Sequence, residues 1–383
     1  MGFLSRLKSA MKEGENAQAI SAIPLEDRPV LVYAEDDYTW NQLEGYVEEL
    51  MHTYDRSVVY VTSDPADPRL TEHDPKMSVF YIKDTLPKFL PNVDSPVFVT
   101  TMPDLDTFHI KRPKQSTCVY VFHSLNSTHA SYRHGAFDAY DVFLCVGPYQ
   151  KEELRARFEA IGKKRYDLRD AGYYKLDRIA AAFSSHEKAH PEATTVLIAP
   201  SWSKENVLAS VGEELIASIA GAGYRTVVRP HPAFFESIYP EGERIVANLQ
   251  RRFADDPNVV FETSITSENS FYEADLMVSD WSGAAFEYAL GTGRPVLFVD
   301  VPRKVMNEQW ADIGITPFED RIRTEVGTVL PVADAADAAT AVAALLEDPA
   351  AFRDRIDAVR DREIFNFGHA AQAGAAVIDE LIP

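Results

Sequence analysis

Two short stretches of this chain hold residue types that phosphate chemistry needs. In Tyr224-Arg225-Thr226-Val227-Val228-Arg229-Pro230-His231-Pro232 a β-branched strand pattern ends in an arginine and a histidine, with a proline on each side of the imidazole. In the run from Asp275 to Leu290 an apolar segment breaks into the hydroxyl-rich turn Ser279-Asp280-Trp281-Ser282 and then a helical pattern, which reads as a strand delivering a helix N-terminus. Free backbone N–H groups and the positive end of the helix dipole suit such a junction to an anion, phosphate above all. If both junctions lie at one sheet edge, Arg229, His231, Ser279, Asp280 and Ser282 converge on a phosphorylated ligand. Ser279 and Ser282 can donate to phosphate oxygens, whereas Asp280 suits orienting a donor or capping the helix; ordinary capping is the plainer reading of the whole turn. Glu287, in the first turns of that helix, suits ribose hydroxyls, or is simply an exposed helical glutamate. Ser201 and Ser203 end a third strand and can contact a donor phosphate with Lys204 as countercharge, while Trp202 offers a stacking face or a core side chain.

These residues need a scaffold that brings strand ends together. Strand patterns at Pro29–Ala34, Ser57–Thr62, Ser78–Ile82, Pro96–Thr101, Thr117–His123 and Asp141–Val146 alternate with helical or turn-rich pieces, which predicts a parallel sheet covered on both faces. A polar, aperiodic stretch around residues 184–192 reads as a linker, after which a second series begins: Thr195–Ala199, Tyr224–Arg229, Asn258–Glu262, Asp275–Val278 and Pro295–Val299. The predicted fold is therefore α/β, with two doubly wound Rossmann-like domains facing a cleft and helices at the C-terminus, and with ligands at the carboxyl ends of the strands. The expected division is a tail over 1–28, an amino-terminal domain over 29–183 and a donor-binding domain over 184–383. A length of 383 residues agrees with two domains.

A net charge of -21 excludes general nucleic-acid binding, so any phosphate site must be a local basic pocket in an acidic body. Cys118 and Cys145 sit in apolar strand runs without metal-ligand spacing and read as reduced core residues of a cytosolic protein. The N-terminus carries no signal peptide and no spanning segment. Phe3, Leu4, Leu7 and Met11 nevertheless share a helical face while Arg6, Lys8 and Lys12 supply positive charge, which fits either an anionic membrane interface or an ordinary docked helix.

In order and spacing, Arg229-Pro230-His231-Pro232, Ser279-Asp280-Trp281-Ser282, Phe286-Glu287-Tyr288 and Arg294-Pro295-Val296-Leu297-Phe298 resemble the CDP-glycerol glycerophosphotransferase family of teichoic acid-type polymer synthesis. A weaker element, Gly172-Tyr173-Tyr174-Lys175-Leu176-Asp177, is similar to the family's Gly-x-Pro-x-x-Asp with Tyr174 in place of proline, and Gly147-Pro148 adds to it. The resemblance spans roughly Val119 to Val326. At the family's amino-side catalytic histidine stands Phe122-His123-Ser124-Leu125-Asn126-Ser127-Thr128, whose neighbours differ from the common Trp-His-Gly turn. That difference bears on the acceptor more than on the chemistry.

The resemblance implies a two-domain glycosyltransferase-B-type fold. It also implies transfer of glycerol phosphate, or a related polyol phosphate, from a CDP-activated donor to a hydroxyl of a lipid-linked or glycan acceptor, with release of CMP. His123 is then the candidate base, and His231 with Arg229 the candidate holder of the pyrophosphate and assistant to CMP departure. Asn126, Ser127 and Thr128 are candidates for the acceptor side, although a hydroxyl-rich turn is commonly only a turn. No tightly bound cofactor is expected and no metal motif stands out: Glu35-Asp36-Asp37 suits an acidic helix start better than a cation, and magnesium riding on the pyrophosphate needs few protein ligands. The expected location is the cytoplasm, peripheral at the inner face of the membrane through residues 1–12. A nucleotide-sugar glycosyltransferase of the same fold and a non-catalytic nucleotide- or glycan-binding protein are the competing readings.

Overall fold

The structure is a computed structural model that describes residues 3–235, 238–263 and 269–383, with side chains from Ser9 onward. Seven strands form the first sheet: β1 (Val30–Ala34), β2 (Val58–Thr62), β3 (Met77–Tyr81), β4 (Val97–Thr100), β5 (Thr117–Val121), β6 (Val142–Cys145) and β7 (Asp167–Asp170), in the order β3-β2-β1-β4-β5-β6-β7. Six form the second: β8 (Thr195–Ile198), β9 (Arg225–Val228), β10 (Val259–Phe261), β11 (Leu276–Ser279), β12 (Val296–Val299) and β13 (Gly327–Leu330), in the order β10-β9-β8-β11-β12-β13. Every strand pairing is parallel.

Parallel strands must be covered on both faces, and their alternation here does that. Leu31 and Tyr33 of β1 enter one apolar cluster while Val30, Val32 and Ala34 enter another on the opposite face. The first of these clusters runs without a break into the second domain through Leu197, Met277, Phe286 and Phe318, so a single core ties the two sheets. A third cluster, with Val196, Ile198, Val278 and Leu297, covers the far face of the second sheet.

In each sheet the order reverses once, between β1 and β4 and between β8 and β11. Such a reversal opens a crevice at the carboxyl ends of the strands, because the connections leave to opposite faces. Register sets what stands there: Tyr33 lies beside Thr100 and Thr100 beside Tyr120, so the residues just past β1, β4 and β5 share one edge. Val278 lies beside Ile198, which aligns the turns after β11 and β8.

The two sheets are joined through the helix Tyr174–Ser185, which packs on the helix Gly283–Thr292. The chain after Glu363 returns to the first sheet, where the helix Ala370–Glu380 packs against the helix Glu44–His52. Asp177 fixes that return by accepting from the N–H groups of Gly368 (2.8 Å) and Ala370 (2.8 Å). Gly172, at φ +93, lets the backbone pass against the Phe365 carbonyl where a Cβ would collide. Tyr38 to Thr53, a continuous helical pattern in the sequence, is instead two helices, Asp37–Trp40 and Glu44–His52. Cys118 and Cys145 are buried free thiols whose pKa values burial pushes up. No helix among the described residues is long and apolar enough to cross a membrane.

Candidate active site between the two sheets

His123 lies two residues past β5. Its Nδ1 is 3.1 Å from the Thr101 carbonyl oxygen, which can only accept, and 3.3 Å from the Tyr120 hydroxyl, so Nδ1 carries the proton toward Thr101 and Nε2 keeps its lone pair. The ring meets Tyr132 edge-on at 5.7 Å. Burial, and then the nearby Lys175 ammonium, push its pKa down to about 4, partly offset by the bond to Thr101.

His231 lies three residues past β9 and has the opposite tautomer. The Ala233 N–H donates to its Nδ1 at 3.1 Å, so in the neutral ring the proton sits on Nε2. Burial first, then Lys304, Lys175 and Arg229, push its pKa down to about 3. The imidazole is a neutral Nε2–H donor among three cations.

Those cations come from three separate segments. Arg229, at the end of β9, packs its guanidinium 5.2 Å from the Phe271 ring and has no ion pair among the described residues. Lys304, past β12, holds its ammonium 3.7 Å from the Trp202 ring centre, and burial pushes its pKa down to about 7 against the opposing pull of Asp280. Lys175 comes from the segment between the domains and is 2.8 Å from Glu287, with both side chains largely buried. The Lys175 charge depresses both imidazoles, so each lies within electrostatic reach of it. Sequence reasoning did not single out Lys304 or the role of Lys175. Lys175 was legible as part of the Gly172–Asp177 element, whereas Lys304 stands in a loop with no patterned neighbours.

The turn after β11 is held in place more than it is offered to a ligand. Ser279 Oγ donates to the Ala199 carbonyl at 2.6 Å, which commits its proton to tying β11 to β8. Asp280 is fully buried and accepts from the N–H groups of Ser201 (2.7 Å) and Val207 (2.9 Å), so it spans the β8/β11 crevice and holds the loop that carries Ser201, Trp202 and Ser203. Ser282 caps the helix Gly283–Thr292 by accepting from the Ala284 N–H at 3.3 Å and keeps a hydroxyl proton to give. Glu287 is committed on both oxygens, to the Tyr173 hydroxyl (2.7 Å) and to Lys175, and joins the domains instead of facing solvent. Ser201 and Ser203 place their hydroxyls 3.5 Å apart; Lys204 is exposed.

On the amino side, Gly283 approaches so closely that a Cβ there would collide with Ser124 Oγ and crowd Asn126, so the helix N-terminus abuts the turn that follows His123. Asn126 donates to Ser124 Oγ at 2.8 Å, and its Oδ1 is buried with no partner among the described residues. Ser127 and Thr128 do a different job: the Ser127 N–H donates to Glu319 (2.9 Å), and the Thr128 N–H and hydroxyl donate to Glu153 (2.6 and 2.7 Å). Glu153 belongs to the helix Pro148–Ala160 of the first domain and Glu319 to the helix Phe318–Val326 of the second, so this turn is clamped from both sides. The structure therefore brings together His123, Asn126, Arg229, His231 and Ser282 of the sequence-derived set. It adds Lys175 and Lys304, and gives Ser279, Asp280, Glu287, Ser127 and Thr128 supporting contacts. Among the described residues no group of three or more His, Cys, Asp or Glu side chains could hold a metal ion.

No family model and no curated protein matches this chain. Solved structures match over almost its full length. The wall teichoic acid polymerase TagF, as a His-to-Asn variant soaked with CDPG, aligns at a TM-score of 0.62 and 13% identity over 100% of this chain and 98% of its own. The S. aureus MnaA–UDP structure aligns at 0.61 and 10% identity over 90% and 94%. A UDP-N-acetylglucosamine 2-epimerase aligns at 0.56 and 10% identity over 90% and 93%. With two Rossmann-like parallel sheets facing a cleft and helices at its C-terminus, the chain has the glycosyltransferase-B fold.

Proposed function

We propose that this protein transfers glycerol phosphate, or a related polyol phosphate, from a CDP-activated donor to an acceptor hydroxyl and releases CMP. The observation that carries the reading is a pair of opposite tautomers within reach of the same Lys175 charge: an Nε2 lone pair on His123 and an Nε2–H on His231, with Arg229 and Lys304 near His231. The acceptor oxygen bonds to the phosphorus that bears glycerol while the bond from that phosphorus to the bridging oxygen breaks. The hydroxyl proton goes to His123 Nε2, and the electron pair leaves on CMP, which His231 Nε2–H and Arg229 stabilise. Burial is the main cause that depresses His123; a bound pyrophosphate offsets the Lys175 charge that adds to it, so its basicity rises when the donor is present.

Ser282 and the hydroxyls of Ser201 and Ser203 supply donors to phosphate oxygens, and Asn126 Oδ1 supplies an acceptor for the incoming hydroxyl. A lipid-linked or glycan acceptor fits a protein held peripherally at a membrane through residues 1–12. A nucleotide-sugar transferase is the second reading, favoured by the equal likeness of the fold to a protein solved with UDP. Incubation of the purified protein with CDP-glycerol, CDP-ribitol and UDP-sugars separates them. Acceptor-dependent release of CMP is expected; release of UDP alone would replace the phosphotransferase with a sugar transferase.

A further inference from the structure

Three of the chain's four tryptophans grip one short segment, residues 301–307, just past β12. At its start Trp281, in the turn after β11, donates from Nε1 to the Val301 carbonyl at 2.8 Å. The Arg303 guanidinium lies over that ring (4.6 Å from its centre) and over the Trp310 ring (5.0 Å), and it pairs with Asp320. At its end the segment reaches the other domain: the Met306 N–H donates to the Ala130 carbonyl at 3.0 Å, and the Asn307 amide to the His129 carbonyl at 2.9 Å. Those carbonyls belong to the turn that follows His123, which is itself held, since His129 Nε2 donates to the Ile315 carbonyl (3.1 Å) and the Ser131 hydroxyl to Glu319 (2.8 Å). Only Lys304 and Val305 stand between the two fastenings, and two residues reach at most about 7 Å, so Lys304 has little freedom of place. Its ammonium has neither hydrogen bond nor ion pair among the described residues and rests on the Trp202 ring, 3.7 Å from the centre. A flexible four-carbon side chain held by one ring is placed by its backbone.

Resting on the donor reading above, we propose that Arg303 and Asn307 are positioning residues for Lys304. The segment is stretched between the phosphate turn of the second domain and the turn after His123 of the first, and this holds the ammonium on Trp202. Breaking either fastening lets the side chain swing into water, away from His231 and the phosphates it is to meet. Donor binding is thereby tied to the contact between the domains. The charges within reach of Lys304 are Asp280, which favours the ammonium, and the His231 imidazole, which is neutral; Arg303 is matched by Asp320. Burial holds the ammonium's pKa down to about 7, so release into water restores its charge above neutrality.

The test compares the full-length protein with Asn307→Ser, Arg303→Met and Lys304→Met. Serine keeps the cap that Asn307 Oδ1 gives the Gln309 N–H (3.1 Å) but is too short to reach His129. Without ligand, competitive acetylation of Lys304 by acetic anhydride from about pH 6 to 10, read by mass spectrometry, gives its titration midpoint. That midpoint should lie near 7 in the native protein and at least about one pH unit higher in Asn307→Ser and Arg303→Met. In calorimetry with CDP at pH 6 both variants should bind about fivefold more weakly, and their affinity should stay level up to about pH 8.5, where the native protein's falls. Should Arg303→Met unfold, Asn307→Ser decides alone. A native midpoint in folded Asn307→Ser overturns the proposal, and so does a raised midpoint with native CDP affinity when Lys304→Met weakens binding. A raised midpoint with CDP affinity unchanged in Lys304→Met as well upholds the positioning and removes Lys304 from the donor site, so the two readings fail separately.

Discussion

At the scale of single residues, the two imidazoles differ in what their Nδ1 atoms meet. A carbonyl oxygen on Nδ1 makes His123 an acceptor at Nε2, and a backbone N–H on Nδ1 makes His231 a donor there. His231→Ala is therefore expected to lower turnover at least about a hundredfold with the protein still folded, as for loss of a group acting in the transition state; near-normal turnover in a folded variant would remove the role. Lys304 gives a pH signature. Its pKa of about 7 makes it cationic below neutrality and neutral above, with Asp280 the acid facing it and His231 uncharged throughout that range. Affinity for CDP should fall as pH rises from 6 to 8.5, and Lys304→Met should weaken binding at pH 6 by roughly tenfold, about 1.4 kcal/mol, and flatten the dependence. Calorimetry at both pH values checks this. Both histidines are also held below their ordinary 6.5, so their neutral forms favour the fold above that value. That stability is lost as pH falls from 6.5 toward about 4 and about 3.

At the scale of elements, the strand ends that carry chemistry were readable because an apolar run that stops in Arg-Pro-His-Pro or Ser-Asp-Trp-Ser leaves few other structures to form. Two strands were not readable. β7 is Asp-Leu-Arg-Asp, an edge strand whose charges face water and blunt the edge, and β13 begins with a glycine after a helix with no turn signal before it. Nor could the sequence reveal which serine in the Ser279–Ser282 turn is committed to the backbone, since that depends on β8 lying alongside. The same adjacency makes Asp280 an element-scale support: both its oxygens end backbone N–H groups of the β8 loop. Removing them should cost about 3 kcal/mol, the scale of buried donors left without a charged acceptor. Asp280→Ala is expected to shift urea unfolding accordingly and to weaken CDP binding through the displaced Ser201–Ser203 loop. A variant with unchanged unfolding and weakened binding would instead make Asp280 a direct ligand contact.

At the scale of the whole molecule, the chain crosses between its domains twice, at Tyr173–Lys175 and again after Glu363, and both crossings are fastened by carboxylates, the first by the buried Glu287 and the second by the half-buried Asp177. The second crossing was beyond sequence reading, because the alanine-rich terminal helices fit many partners equally well. At the other end of the chain, the helix Phe3–Ala22 is anchored by its later half: Glu13 accepts from the N–H groups of Lys83 (3.1 Å) and Thr85 (2.8 Å), Asn16 donates to the Tyr81 carbonyl (2.9 Å), and Ile20 enters the core. Of the proposed membrane-facing set, Phe3, Leu4, Arg6, Leu7 and Lys8 lie outside the residues whose side chains are described, and Met11 is 62% exposed. With Ser9 also bonded to Tyr81 and Glu13, we propose that the turns before Ser9 are the segment that meets a bilayer. Three basic residues at about 1 kcal/mol each and four apolar side chains make a modest anchor that salt should weaken. Deleting residues 1–12 should reduce sedimentation with phosphatidylglycerol vesicles at low salt and leave unfolding in urea unchanged, because the Glu13 contacts remain. Equal sedimentation of the two proteins would remove membrane attachment from this segment, and a loss of stability would show that the deleted turns are packed on the domain instead.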